Sequence, residues 1–100
     1  MIPFKIGNWL ITDESIDWKG QPDNDYYIQI DRLLELDFGD DKIFHWLTHM
    51  AEKTWLTRED IYALNTAFIY AIEYFKIKYD TGSFIETLKY QQLILKDKEQ

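Results

Sequence analysis

Cysteine is absent from this chain of 100 residues. That removes a disulfide framework, a thiolate nucleophile and any Cys-ligated zinc or iron–sulfur centre, and it is compatible with a reducing cytoplasm. Proline occurs twice and glycine four times, too rarely for a low-complexity or linker-like segment. Basic residues are outnumbered, 11 Lys and Arg against 18 Asp and Glu, for a net charge of −7. Such a balance disfavours attachment to nucleic acid or to an anionic membrane by general electrostatic attraction and favours basic or neutral partners. No apolar run is long enough to span a bilayer: the most apolar stretch, Ile61 to Ile72, contains Asn65 and stops at Glu73. Met1 to Leu10 holds one lysine and no sustained apolar run, so it does not read as a secretory leader, and the expected compartment is the cytoplasm.

What the chain has in quantity is apolar and aromatic side chains, 46% and 17% of residues, enough for one modest core in a single domain spanning residues 1–100. The longest helical reading is 58–79. Thr57 supplies an N-cap side chain with Asp60 three residues on, a variant of the capping box in which Asp replaces Glu or Gln. Glu59 and Asp60 open the helix, and Lys76 and Lys78 close it, each set opposing the macrodipole. Ile61, Leu64, Phe68, Ile72, Phe75 and Tyr79 recur at steps of three and four and form the core stripe. Ala63, Ala67 and Ala71 make a second row that admits a close neighbour. A third face, with Tyr62, Tyr70 and Ile77, is left for the last helix or a second subunit to cover.

Upstream, 8–12 and 15–19 read as strands of a hairpin around Asp13 and Glu14. A four-residue loop from Thr12 to Ser15 pairs Trp9 with Trp18 and Ile11 with Ile16. Gly20 to Asp25 is loop, 26–31 alternates as a third strand, and Arg32 to Leu36 breaks the alternation as a helical turn. Helical periodicity returns over 41–55, and Ser83 with Glu86 forms a capping box for a last helix over 84–96. Strands followed by helices give an α+β fold, a three-stranded antiparallel meander packed on three helices.

Motifs for chemistry are few. His45, His49 and Glu52 share one side of a helix at steps of four and three, and these residue types bind zinc or iron. The string HWLTH lacks the glutamate of HExxH, and Lys42 and Lys53 share that side, so a solvated helix face is the plainer reading. Asp23 with Asp25, and Asp37 with Asp40, begin acidic loops without completing a calcium pattern. Asp37-Phe38-Gly39 matches a kinase fragment with no kinase around it. Ser15 and Ser83 are accounted for by a turn and a cap, so an enzyme is not expected, and neither is a cofactor.

Charge is uneven along the chain: from Asp13 to Asp41 ten acids stand against Lys19 and Arg32, net −8, and the remainder sums to +1. Solubility and turn chemistry are the plainer explanation; an acidic surface that steers a basic protein is the sharper one. The leading expectation is therefore a small acidic, non-enzymatic protein-binding module of adaptor, inhibitor or immunity type, with Asp13, Glu14 and Asp17 as contact candidates. The alternatives are a homo-oligomer subunit, here a homodimer burying Tyr62, Tyr70, Ile77 and Ile94, and a small-molecule or metal-binding protein.

Overall fold

The structure, a computed structural model, describes residues 2–20, 26–34 and 42–98. The acidic loops carrying Asp23, Asp25, Asp37 and Asp40, and Asp41 at the expected start of a helix, lie outside the described residues. The fold is α+β: strands β1 (Phe4–Ile6), β2 (Trp9–Ile11), β3 (Ser15–Trp18) and β4 (Tyr27–Gln29) form one antiparallel sheet in the order β1-β2-β3-β4. Helices α1 (Ile30–Leu34), α2 (Lys42–Ala51), α3 (Arg58–Tyr74) and α4 (Thr81–Asp97) follow.

The meander has four strands where three are expected. β1 is the addition, joined to β2 by the two-residue turn Gly7-Asn8 with Ile6 opposite Trp9. Gly7 has φ +56°, the left-handed value that such a hairpin turn needs at its first central position. A side chain there would also press on Ala63, whose Cβ lies 3.1 Å from where a Cβ of residue 7 would sit. The β2–β3 register is the expected one, Trp9 opposite Trp18 and Ile11 opposite Ile16. The third strand ends at Gln29 rather than residue 31, because Ile30 begins α1 and turns its side chain, with Leu33, into the core.

Alternation divides the sheet. Trp9, Ile11, Ile16, Trp18 and Ile28 are buried on the inner face against the helices. α3 lies across β1 and β2 on that face, tied at its start by Trp9 Nε1 donating to the Asp60 carbonyl at 2.9 Å. The capping box is complete: Asp60 N–H donates to Thr57 Oγ1 at 3.1 Å, and Thr57 N–H donates to Asp60 Oδ2 at 2.9 Å.

α2 stops at Ala51, four residues short of 55. Glu52 and Lys53 N–H groups donate to the carbonyls of His49 and Met50, three residues back instead of four. The tightened turn swings Trp55 onto Trp18 and Tyr26, at 5.5 and 4.9 Å between ring centroids, and sends Leu56 into the core. Lys98 Nζ donates to the Leu56 carbonyl and to that of Lys53, which also accepts from Leu56 N–H.

α3 ends at Tyr74 rather than 79. Ile77 N–H donates to the Ile72 carbonyl and Lys76 N–H to that of Glu73, with Lys76 at φ 55°, the hydrogen-bond pattern of a Schellman cap. Lys76 and Lys78 therefore lie beyond the helix instead of in its last turn. A lysine holds the left-handed position that glycine usually takes, so Lys76→Gly is expected to stabilise the fold by about 1 kcal/mol and to raise Tm by roughly 4–8 °C. An unchanged or lowered Tm by calorimetry would show that the position carries no strain.

α4 begins at Thr81, before the expected 84, because Asp80 and not Ser83 is the N-cap. Its carboxylate accepts from Gly82 N–H at 3.0 Å and from Ser83 Oγ at 2.8 Å, so Gly82 sits inside the first turn and does not break the chain. The Ser83 hydroxyl, followed by the Ser83 and Gly82 backbone N–H groups, holds the Asp80 carboxyl below its ordinary value of 3.8. The folded-state value is depressed, so the stabilisation is present above pH 3.8 and is lost as pH falls through the lower folded value. The Tm advantage of the wild type over Asp80→Asn is expected to shrink across that acid window; an advantage constant with pH would refute the charged cap.

α4 runs parallel to α2 and antiparallel to α3, as the ring pairs Phe44–Phe84 and Phe68–Phe84 and the contacts of Gln91 show. Gln91 is fully buried. Its Nε2 donates to the Leu47 carbonyl at 3.1 Å, and its Oε1 accepts from Asn65 Nδ2 at 2.8 Å, so one amide links three helices. Among the described residues, no helix is long and apolar enough to cross a membrane.

Candidate functional site

Asp13 and Glu14 occupy the exposed tip of the β2–β3 hairpin. Asp-Glu does not favour a two-residue turn, and the tip is held by its neighbours instead. Thr12 N–H donates to the Ser15 carbonyl at 2.9 Å, and Thr12 Oγ1 accepts from the N–H groups of Glu14 and Ser15, each at 3.1 Å. From the far side, Ile30 N–H donates to the Glu14 carbonyl at 2.8 Å, fastening the tip to the start of α1. The turn that carries the two carboxylates is thus closed by three bonds between Thr12 and residues 14–15 and tied by one from Ile30.

Asp17 lies on the outer face of the sheet, half-buried, with one carboxylate oxygen accepting from Ser15 Oγ at 2.7 Å. The register sets Lys5, Leu10, Asp17 and Tyr27 in one row across all four strands. Tyr27 is 51% exposed. The described helices pack on the opposite face, so this row, the acidic tip and exposed Gln29 form one outward surface. Tyr27 was not among the sequence candidates. Its signal is positional: it neighbours Tyr26 and Ile28, which face inward, and must therefore face out.

The second candidate surface is dispersed. Tyr62 is exposed, with its hydroxyl accepting from Arg58 at 2.8 Å. Tyr70 is half-buried and stacked on Phe4 of β1, 4.3 Å between centroids. Ile77 is buried as the apolar partner of the Schellman cap, and Ile94 is half-buried between α4 and the 51–59 segment. The structure does not bring these four side chains onto one exposed face. Exposed apolar groups on α4 are instead Ile85, Tyr90 and Leu93.

His45 and His49 are exposed on α2 and Glu52 is exposed in the turn just beyond it, along the groove against α4. Among the described residues, no three His, Asp or Glu side chains converge closely enough to hold a metal ion.

The fold and surface define a small α+β domain that presents an acidic hairpin on a sheet face that no described helix covers. Compared with models of protein families, with curated proteins and with solved structures, the chain matches none.

Proposed function

We propose that this chain is a small, non-enzymatic protein-binding module of the cytoplasm whose contact surface is the acidic β2–β3 tip with the outer sheet row, and whose partner is a basic protein. The observation that carries the reading is the bracing of the acidic turn: the Glu14 N–H and carbonyl are both held, by Thr12 Oγ1 and by Ile30 N–H, while the Asp13 and Glu14 side chains stand exposed. A preorganised tip loses little conformational freedom on binding, so more of its electrostatic attraction survives as affinity. Tyr27 beside Asp17 adds an aromatic body of the kind enriched at interface centres, next to the charge that selects a basic partner. The lack of cysteine is compatible with cytoplasmic placement.

The test is capture from host extract by the immobilised wild type and by Asp13→Asn/Glu14→Gln/Asp17→Asn, in low and high salt, with bound proteins identified by mass spectrometry. A basic protein held in low salt by the wild type and lost by the variant is the expected result. Equal capture of the same protein by both rules this surface out.

A further inference from the structure

A second surface is concave, and among the described residues that line it the acidic side chains are not matched by Lys or Arg. Between α2 and α4 run two adjoining hollows of about 530 and 480 Å³ that share Phe44, His45, Glu86 and Thr87. Phe44, buried, is the floor; His45 and His49 stand on one wall and Tyr90, 56% exposed, on the other. Glu52 lies at one end and Glu86 midway; Asp80, at the other end, has its carboxylate engaged by Gly82 N–H and Ser83 Oγ, and no Lys or Arg is among the described residues that line either hollow. Lys89 stands just outside, 3.7 Å from Glu86 in an exposed pair that holds Glu86 only weakly. The neighbouring groove around Ile94 differs, because Arg58 and Lys98 there offset Glu52, Glu59 and Asp97.

From Asp80 to Tyr90 the trough follows ten residues of chain, roughly 15 Å at the helical rise, the reach of four or five residues of extended peptide. Aromatic rings above a closed floor, with carboxylates spaced along the length, suit cationic side chains with long apolar stems. Guanidinium groups stack on such rings and bind carboxylates in the same plane.

We infer that the α2–α4 groove is a docking site for an extended, arginine-bearing peptide segment of a protein partner. The inference rests on the reading of the chain as a module for basic partners, but it uses a different surface from the hairpin tip, so the two can fail separately.

The experiment titrates the peptide acetyl-Arg-Gly-Arg-Gly-Arg-amide into the ¹⁵N-labelled full chain and follows amide shifts. Shift changes are expected at 44–49 and 86–90. Glu52→Gln/Glu86→Gln is expected to weaken binding about five- to tenfold, and Tyr90→Leu, which keeps apolar bulk and removes the ring, by roughly two- to fivefold. The hairpin variant Asp13→Asn/Glu14→Gln/Asp17→Asn should leave the affinity within roughly twofold, since tip and groove share no residue. Shift changes spread over every acidic part of the surface, shift changes centred on 13–17, or an affinity indifferent to Glu52→Gln/Glu86→Gln would each overturn the inference. If the hairpin variant loses host-protein capture while the groove variants keep it and the peptide does not bind, the proposed function stands and the groove does not.

Discussion

Phe68→Ala is expected to destabilise the fold by about 4 kcal/mol, the middle of the range for deleting a buried phenylalanine. Phe68 is fully buried in α3 and stacks on Phe84 of α4 at 5.5 Å with 12° between the ring planes. Phe44 of α2 leans on the same cluster, 6.3 Å from Phe68 and 5.6 Å from Phe84. Removing the ring leaves a cavity bordered by three helices that already hold one another at fixed spacing through Gln91, so little collapse can fill it. A domain of this size has roughly 5–15 kcal/mol in total, so the loss is a large share. Phe68→Leu keeps most of the volume and is expected to cost about 1 kcal/mol, which leaves a measurable variant if the alanine form does not fold. Urea titration followed by tryptophan fluorescence gives both numbers. A loss below about 1.5 kcal/mol for the alanine form would mean that the aromatic cluster is not the joint of the helices.

Gln91→Leu is expected to cost about 2 kcal/mol, for a different reason. Volume is nearly kept, but the Asn65 amide loses the partner that both accepts from it and donates to it. Asn65 is half-buried, and water on its open side relieves part of the penalty. The double variant Asn65→Leu/Gln91→Leu removes both amides together and is expected to recover to within about 1 kcal/mol of the wild type. A double variant less stable than Gln91→Leu alone would show that the pair contributes packing and not mutual satisfaction. The amide pair also fixes register: Gln91 reaches the Leu47 carbonyl only if α4 lies at one height along α2.

Where local chemistry and long-range packing agree, the architecture was legible. Trp9 opposite Trp18 and Ile11 opposite Ile16 follow from period-two alternation about a short loop, and the Thr57–Asp60 box lies within four residues. Phe4-Lys5-Ile6 escaped notice because three residues are a weak alternation, although Gly7-Asn8 between two apolar pairs is a hairpin signal in its own right. That omission also misplaced Tyr70, whose cover is Phe4. The end of α3 was unreadable for a physical reason: a lysine occupies the left-handed position, and a helical stripe of Phe75 and Tyr79 continues past it. A helix continued to Tyr79 would put Ile77 on its third face, whereas the cap turns it inward. Ser83 and Glu86 make a formally better box than Asp80 offers, yet the carboxylate three residues earlier captures two donors of the first turn, one backbone and one hydroxyl. Asn65 and Gln91 stand 26 residues apart, and nothing local announces their pairing.

Of the acidic candidates, Asp13, Glu14 and Asp17 were legible from the hairpin alone, while the pinning of the tip was not. Thr12 and Ser15 give part of it locally, but the Ile30 to Glu14 bond exists only because β4 returns beside β3 and α1 starts at once. Tyr27 belongs to the same surface for the same reason, since its row with Asp17 and Leu10 is set by pairing across three strands.

Affinity for the captured basic protein, measured by calorimetry with purified components as salt is raised from about 0.05 to 0.5 M, tests the role of this tip most directly. The wild type is expected to lose affinity steadily, and Asp13→Asn/Glu14→Gln/Asp17→Asn to bind more weakly at low salt with a shallower slope, the two converging as screening shortens the Debye length to a few ångströms. Coincident curves for wild type and variant across the whole series would contradict the account.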